Sequence, residues 1–158
     1  MRQTFNETTD RSFGPRHAPL IRAAMAAQGL DGFVIPHEDE HQNEYLPAAN
    51  DRLAWATGFT GSAGAAVLLK DKAAIFVDGR YTLQVREQVD VAVFEPVPVM
   101  EVSVADWLKS NAGRGQRIGY DPWLMTRAQA RRIAKALEEA GAALVPVAEN
   151  AVDAVWRD

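Results

Sequence analysis

Segments with the three- and four-residue apolar spacing of helices alternate along this chain with short apolar runs typical of buried strands. This alternation is the feature that most limits the fold, because helices and strands in such order pack as helices on the faces of one sheet. The predicted helices cover residues 15–28, 80–89, a short segment after Ser103, and a segment between Thr126 and Gly141. The predicted strands cover residues 31–36, 65–69, 73–77, 91–94, 117–120 and 143–147. The sequence therefore predicts an α/β fold with a mixed sheet of about six strands flanked by helices.

Local signals support several of these elements. The charged turn at residues 70–72 separates two apolar runs and favours an antiparallel hairpin. Thr126 and Gln129 have the spacing of a capping box, and Gly29 and Gly141 are placed where helices end. A chain of 158 residues is long enough for one domain. We expect residues 1–14 to form a flexible arm and residues 15–158 to form the α/β domain.

Charge and composition exclude some function classes. The 17 basic and 21 acidic residues give a net charge of −4, which argues against a nucleic-acid partner. The densest cluster of basic residues lies in one predicted helix and contains Arg127, Arg131, Arg132 and Lys135. We interpret it as the solvent-exposed face of that helix. No apolar run approaches the roughly 20 residues of a membrane span. The chain has no cysteine and no apolar leader at its start, so we expect a cytoplasmic protein.

The segment from His37 to His41 matches the H-E-x-x-H pattern of zinc peptidases. That chemistry needs a helix, which places both histidines one turn apart on the same face. Here the segment follows directly on the end of a strand, and Asp39 and Glu40 would bring two further charges into the site. We interpret it as a polar loop and predict no metal site in this chain.

The remaining candidates also have simple structural explanations. Ser62 lies in a glycine-rich stretch that precedes a strand, which favours a tight turn over a nucleophile. Asp78 is placed to cap the helix that follows it, so Arg80 and Tyr81 would project at the sheet edge. His17 is expected to be exposed. The four tryptophans, Trp55, Trp107, Trp123 and Trp156, are expected to anchor the core or a domain interface.

Several segments together carry a family resemblance. They include Thr-Gly-Phe-Thr-Gly-Ser-Ala-Gly at residues 57–64 and Phe-Val-Asp-Gly-Arg-Tyr at residues 76–81. Others, in the same order, occupy residues 29–36, 39–45, 52–55, 119–122 and 144–156. This set resembles the N-terminal, creatinase N-like domain of three-domain Xaa-Pro aminopeptidases. The resemblance extends over residues 16–158 and is more specific than any single motif.

The resemblance implies a non-catalytic first domain of an enzyme that removes an N-terminal residue preceding proline. Two divalent metals, usually manganese, would be held by a later "pita-bread" domain, so no catalytic residue and no metal ligand is expected in this chain. The implied partners are peptides with proline at the second position, the C-terminal domains of the same polypeptide and, in a homodimer, a second copy. The domain would shape the substrate cleft and support subunit contacts.

Loops at strand ends supply the candidate cleft residues: Arg80, Tyr81, His37 and Trp55. An alternative function stays open at this point. A related two-domain architecture resembles the peptide- and histone-binding part of chromatin chaperones, so the chain could be a free-standing or chaperone-like binding module without catalysis. Relatives without catalysis would be expected to have diverged at residues 58–64 and 78–81, and the intact segments at these positions favour the enzyme.

Overall fold

The structure, a computed structural model, describes residues 10–36, 46–60 and 64–156. Six helices of the described ranges are α1 (Phe13–Ala27), α2 (Leu46–Thr57), α3 (Thr82–Gln88), α4 (Val104–Asn111), α5 (Arg127–Glu139) and α6 (Ala151–Val155). The strands are β1 (Gly32–Ile35), β2 (Ala65–Leu69), β3 (Ala73–Val77), β4 (Glu95–Pro98), β5 (Arg117–Tyr120) and β6 (Ala143–Pro146). A 3-10 turn, Gly79–Tyr81, precedes α3.

One mixed sheet carries all six strands, in the order β4-β3-β2-β1-β5-β6. Strand β2 is antiparallel to both of its neighbours, and the remaining pairs are parallel. The predicted α/β class, mixed sheet and hairpin between residues 65 and 77 are therefore confirmed. Because β1, β3, β4, β5 and β6 share one direction, their carboxyl ends all lie at the same edge of the sheet.

The sheet is buried on both faces, which explains the continuous apolar runs of its central strands. In β1, Phe33 and Ile35 pack into one hydrophobic cluster, with residues of α1, α2, α3 and α6. Val34, which points to the opposite face, joins a second cluster with residues of α4 and α5. Each layer of helices therefore has its own core, and β1 contributes alternate side chains to both.

Helix ends follow the predicted local signals. Ser103 accepts a hydrogen bond from the Asp106 backbone N–H, and Thr126 and Gln129 form the reciprocal capping box. Helix α1 begins at Phe13, two residues before the predicted start. The division into an arm of residues 1–14 and a domain of residues 15–158 stays a prediction.

The predicted fourth strand at residues 91–94 is wrong. These residues form a turn in which the Asp90 carboxylate accepts from Ala92 N and the Asp90 carbonyl accepts from Phe94 N. The strand itself follows at Glu95–Pro98 and pairs in parallel with β3. This strand contains two prolines, which in a sequence pattern are evidence against a strand. An edge strand such as β4 tolerates them because one side of its backbone has no partner strand.

Candidate functional site

The carboxyl edge of the sheet gathers the segments that follow β3, β4, β5 and β6. In open α/β sheets, ligands bind in the crevice outside the carboxyl ends of the strands. The segment at residues 78–81, which follows β3, and the loop at residues 121–126, which follows β5, both lie here. This edge is therefore the part of the described fold with the geometry of a binding site.

Asp78 and Arg80 form a compact charged pair at the end of β3. The Asp78 carboxylate caps the 3-10 turn by accepting from Arg80 N at 2.9 Å, as the sequence predicts. It also accepts from the Arg80 guanidinium at 2.9 Å, while 73% of the Arg80 side chain is exposed. The guanidinium carbon lies 5.3 Å from the centre of the Tyr81 ring. The Arg80 guanidinium is thus paired with the Asp78 carboxylate, while most of the side chain stays in contact with solvent.

Arg80 affects the ionisation of its partner. The hydrogen bond from the Arg80 side chain holds the pKa of Asp78 below the usual carboxyl value. A depressed folded-state pKa means that the pair contributes stability above the ordinary pKa of the carboxyl and loses it as the pH falls. Both groups are in contact with water, so this contribution to folding is small.

Substitution of Arg80 by alanine is expected to raise the pKa of Asp78 towards the ordinary carboxyl value, because the guanidinium donors are removed. A carboxyl-detected NMR titration of Asp78 measures this shift. Arg86→Ala, a matched loss of charge on α3, should leave the pKa of Asp78 unchanged. An unchanged pKa in Arg80→Ala would show that the pair does not form in solution.

Tyr81 links this charged turn to the core. Its ring meets the buried Phe59 ring edge-on, with 5.6 Å between the ring centroids. Phe59 lies just after α2, so the contact connects the end of β3 to the segment that leads into β2. Tyr81 is therefore fixed by packing, and Arg80 precedes it on the exposed side of the turn.

Trp55 belongs to an aromatic stack that joins three helices. Its ring lies 3.7 Å from the His17 ring and nearly parallel to it, and Trp156 stacks on Trp55 at 5.7 Å. His17 Nδ1 is hydrogen-bonded to the Trp55 carbonyl oxygen, and His17 is buried. The expectation that His17 is exposed is therefore wrong, because α2 and α6, which the sequence pattern did not predict, pack on α1.

The other tryptophans differ in their environments. Trp107 is buried in α4 and contacts the Phe76 ring edge-on, with 6.0 Å between the centroids. Trp123 has 83% of its surface exposed. His37, the segment from His37 to His41, and Ser62 lie outside the described residues. The structure therefore joins Arg80 and Tyr81 in one turn and places Trp55 in a separate stack.

A cavity of about 310 Å³ opens at the carboxyl edge, between the sheet and the first turns of α4 and α5. Its walls combine apolar and polar side chains, among them Val34, Phe76, Ile133, Asp78, Gln129 and Arg132. The basic cluster predicted on α5 therefore contributes Arg132 to this opening. The cavity has the size and mixed lining of a small-ligand or side-chain pocket.

A second concave surface, which the sequence patterns did not indicate, lies where the loop after β5 meets α6. We call it the α6 groove; it is lined by Arg52, Asp121, Trp123, Glu149, Asn150 and Asp153, among others. Arg52 binds the Asp153 carboxylate through two hydrogen bonds of 2.9 Å. Asn150 caps α6 and donates to Asp121 at 3.0 Å. Two local features of the sequence could have indicated this part of the fold. They are the Asp-Pro pair after β5, which is typical of a turn, and Asn150, which is a typical N-cap residue.

Within residues 10–36, 46–60 and 64–156, no group of three or more histidine or acidic side chains is arranged to hold a metal ion. No helix in the described part of the chain combines the length and apolar character needed to cross a membrane.

Comparisons with known proteins agree with this architecture. The family model described as the Creatinase/Prolidase N-terminal domain matches residues 19–155. A probable Xaa-Pro aminopeptidase P from Arthroderma otae is 38% identical in an alignment of length 144, which covers 87% of this chain and 22% of that protein. The corresponding protein of Talaromyces marneffei is 36% identical in an alignment of length 158, which covers 96% of this chain and 23% of that protein.

Solved structures give the same result. The X-prolyl aminopeptidase of Caenorhabditis elegans, described as a cytosolic enzyme with a di-nuclear active site, superimposes with a TM-score of 0.82 and 27% identity. The superposition covers 92% of this chain and 26% of that enzyme. The N-terminal domain of the cytoplasmic peptidase PepQ from Mycobacterium tuberculosis gives a TM-score of 0.67 and 25% identity, covering 89% of this chain and 98% of that domain. The chain thus spans less than a quarter of the length of its curated relatives.

Proposed function

The chain belongs to the Creatinase/Prolidase N-terminal domain family, and from this membership we propose that it is the non-catalytic first domain of a metal-dependent Xaa-Pro aminopeptidase. The parent enzyme removes an N-terminal residue that precedes proline. The observation that carries the proposal is the match to Xaa-Pro aminopeptidase P at 38% identity over most of this chain and only 22% of the relative.

In this proposal, catalysis and substrate positioning belong to different domains of the parent enzyme. Two divalent metals, for which we propose manganese, supply the activation of water and the stabilisation of charge in a later domain. The di-nuclear active site of the Caenorhabditis elegans enzyme supports this part of the proposal. The present domain supplies the wall of the substrate cleft and subunit contacts in a homodimer. Its substrate partners are peptides with proline in the second position.

Arg80 is the proposed cleft residue with the clearest geometric support. Asp78 anchors its guanidinium, and most of the side chain stays in contact with solvent at the carboxyl edge of the sheet. A guanidinium has five N–H donors, so those of Arg80 that do not bind Asp78 can bind the carboxylate of a peptide, or the side chain can exclude longer chains from the cleft. Tyr81, which the Phe59 contact fixes, would position the same turn. Trp55 and His37 remain proposals without such support.

Substitution of Arg80 by alanine in the parent enzyme is expected to change the preference among dipeptide, tripeptide and longer substrates by about tenfold, the equivalent of about 1.4 kcal/mol in kcat/KM. Metal content should not change, because Arg80 acts at the cleft. Arg86→Ala serves as the control for loss of one exposed charge. Identical length preferences in Arg80→Ala and the unaltered enzyme would remove Arg80 from the cleft.

The proposed location is the cytoplasm, which the cytosolic description of the Caenorhabditis elegans enzyme supports. The absence of cysteine is compatible with a reducing compartment.

The length of the native polypeptide tests the proposal. An antibody raised against the 158-residue chain should detect a product several times larger than 17.3 kDa in the source cell. A native product of 17.3 kDa would contradict the proposal and favour the free-standing or chaperone-like binding module. That candidate has one supporting observation: the PepQ domain was solved by itself and forms the same fold.

A further inference from the structure

The α6 groove carries an excess of negative charge. It has a volume of about 400 Å³, and its wall includes the carboxylates of Asp121, Glu149 and Asp153 against the single guanidinium of Arg52. Three acidic groups and one basic group give these lining residues a net charge of −2. Arg52 is bound to Asp153, so its charge is directed to that carboxylate. The surface around Asp121 and Glu149 is therefore complementary to a cation.

Trp123 adds an aromatic surface at the rim of the same groove. Its backbone N–H donates to the Asp121 carboxylate at 2.9 Å, which fixes the start of the loop after β5, and 83% of the residue is exposed. An indole beside carboxylates provides both elements of cation recognition, the ring face and the counter-charge. Tryptophan is also a residue that anchors protein interfaces far more often than its abundance would suggest.

The groove is built on fixed elements. The Asn150 side chain bridges the Val152 N–H of α6 and the Asp121 carboxylate of the loop after β5. The Arg52–Asp153 pair joins α2 to α6. Because both walls are held together by these bonds, a docked side chain would meet a preformed surface and lose little free energy to ordering it.

We infer that the α6 groove is the docking surface for a basic segment of the remaining polypeptide of the parent enzyme, whose arginine or lysine lies on Trp123 and pairs with Glu149 and Asp121. The inference rests on the proposed function, since the curated relatives contain more than three quarters of their length outside the matched region. A segment tethered to this domain reaches the groove at a high effective concentration, which favours it over a second copy in free solution.

Hydroxyl-radical labelling with detection by mass spectrometry tests the inference on two proteins, the 158-residue chain and the full-length parent. Oxidation of Trp123 should be about tenfold slower in the parent, because an interface core excludes water. Equal oxidation in both proteins would overturn the inference. Protection of Trp123 in the short chain that grows with its concentration would also overturn it, in favour of a second copy.

Two charge reversals in the parent separate docking from a general effect. Glu149→Lys places a like charge in front of the basic segment and should raise Trp123 oxidation towards the rate of the short chain. Glu101→Lys, at another exposed acidic position, should leave the rate unchanged. A parent in which neither substitution alters Trp123 oxidation contradicts the assigned contact. A native product of only 17.3 kDa would instead refute the proposed function.

Discussion

Substitution of Trp107 by alanine is expected to lower the free energy of unfolding by about 3–5 kcal/mol, the usual cost of removing a large aromatic side chain from a core. Trp107 is 6% exposed and packs edge-on against Phe76 of β3. Its loss would leave a cavity in the cluster that holds α4 and α5 on the sheet. Urea denaturation followed by circular dichroism measures the change.

The chain offers a matched control in Trp123, which has the same side chain but is 83% exposed. Trp123→Ala should change the free energy of unfolding of the 158-residue chain by no more than about 0.5 kcal/mol. Equal losses for the two substitutions would contradict the assignment of one tryptophan to the core and the other to the surface.

Substitution of Gly32 by alanine is expected to destabilise the domain by about 1–3 kcal/mol, the typical cost of overpacking a core. A methyl group at this position would lie 2.7 Å from Leu69 Cδ2, 2.8 Å from Ile118 Cδ1 and 2.9 Å from the Leu68 carbonyl oxygen. Strand β1 is fixed between β2 and β5, so the backbone oxygen has little freedom to move away. Thermal and urea denaturation measure the loss.

Gly79→Ala is the matched control, because it makes the same glycine-to-alanine substitution at a position where the added methyl group has space. No atom lies within 4 Å of an added methyl group there, and the backbone angle is not positive. This substitution should be neutral or stabilise the fold by about 0.4–1 kcal/mol, because alanine restricts the unfolded chain. A Gly32→Ala protein as stable as Gly79→Ala would refute the packing described at the centre of the sheet.

Most of the sheet could be predicted from the sequence, because buried strands leave strong local signals. Continuous apolar runs and the charged turn at residues 70–72 identify the hairpin, and the caps at Ser103 and Thr126 identify the starts of α4 and α5. Strand β4 could not be predicted from the sequence. Its two prolines are compatible with a strand only at the edge of a sheet, and which strand lies at the edge depends on the arrangement of the whole sheet.

The site was harder to predict, since its geometry depends on elements distant in sequence. The environment of His17 follows from contacts with α2 and α6, and the Arg52–Asp153 pair joins residues 101 positions apart. No local pattern encodes such contacts. The Asp78 cap was predictable because its partner, Arg80, is two residues away. Local spacing therefore predicts the turn that presents Arg80, whereas the α6 groove becomes visible only in the folded chain.

Activity of the native polypeptide on a proline-containing peptide tests the central claim most directly. The product that contains this sequence, purified from its source, should release the first residue of an Xaa-Pro peptide and lose that activity when a chelator removes divalent metals. The 158-residue chain, assayed in parallel with manganese, should release none. A native polypeptide that leaves Xaa-Pro peptides uncut in the presence of manganese would contradict the account.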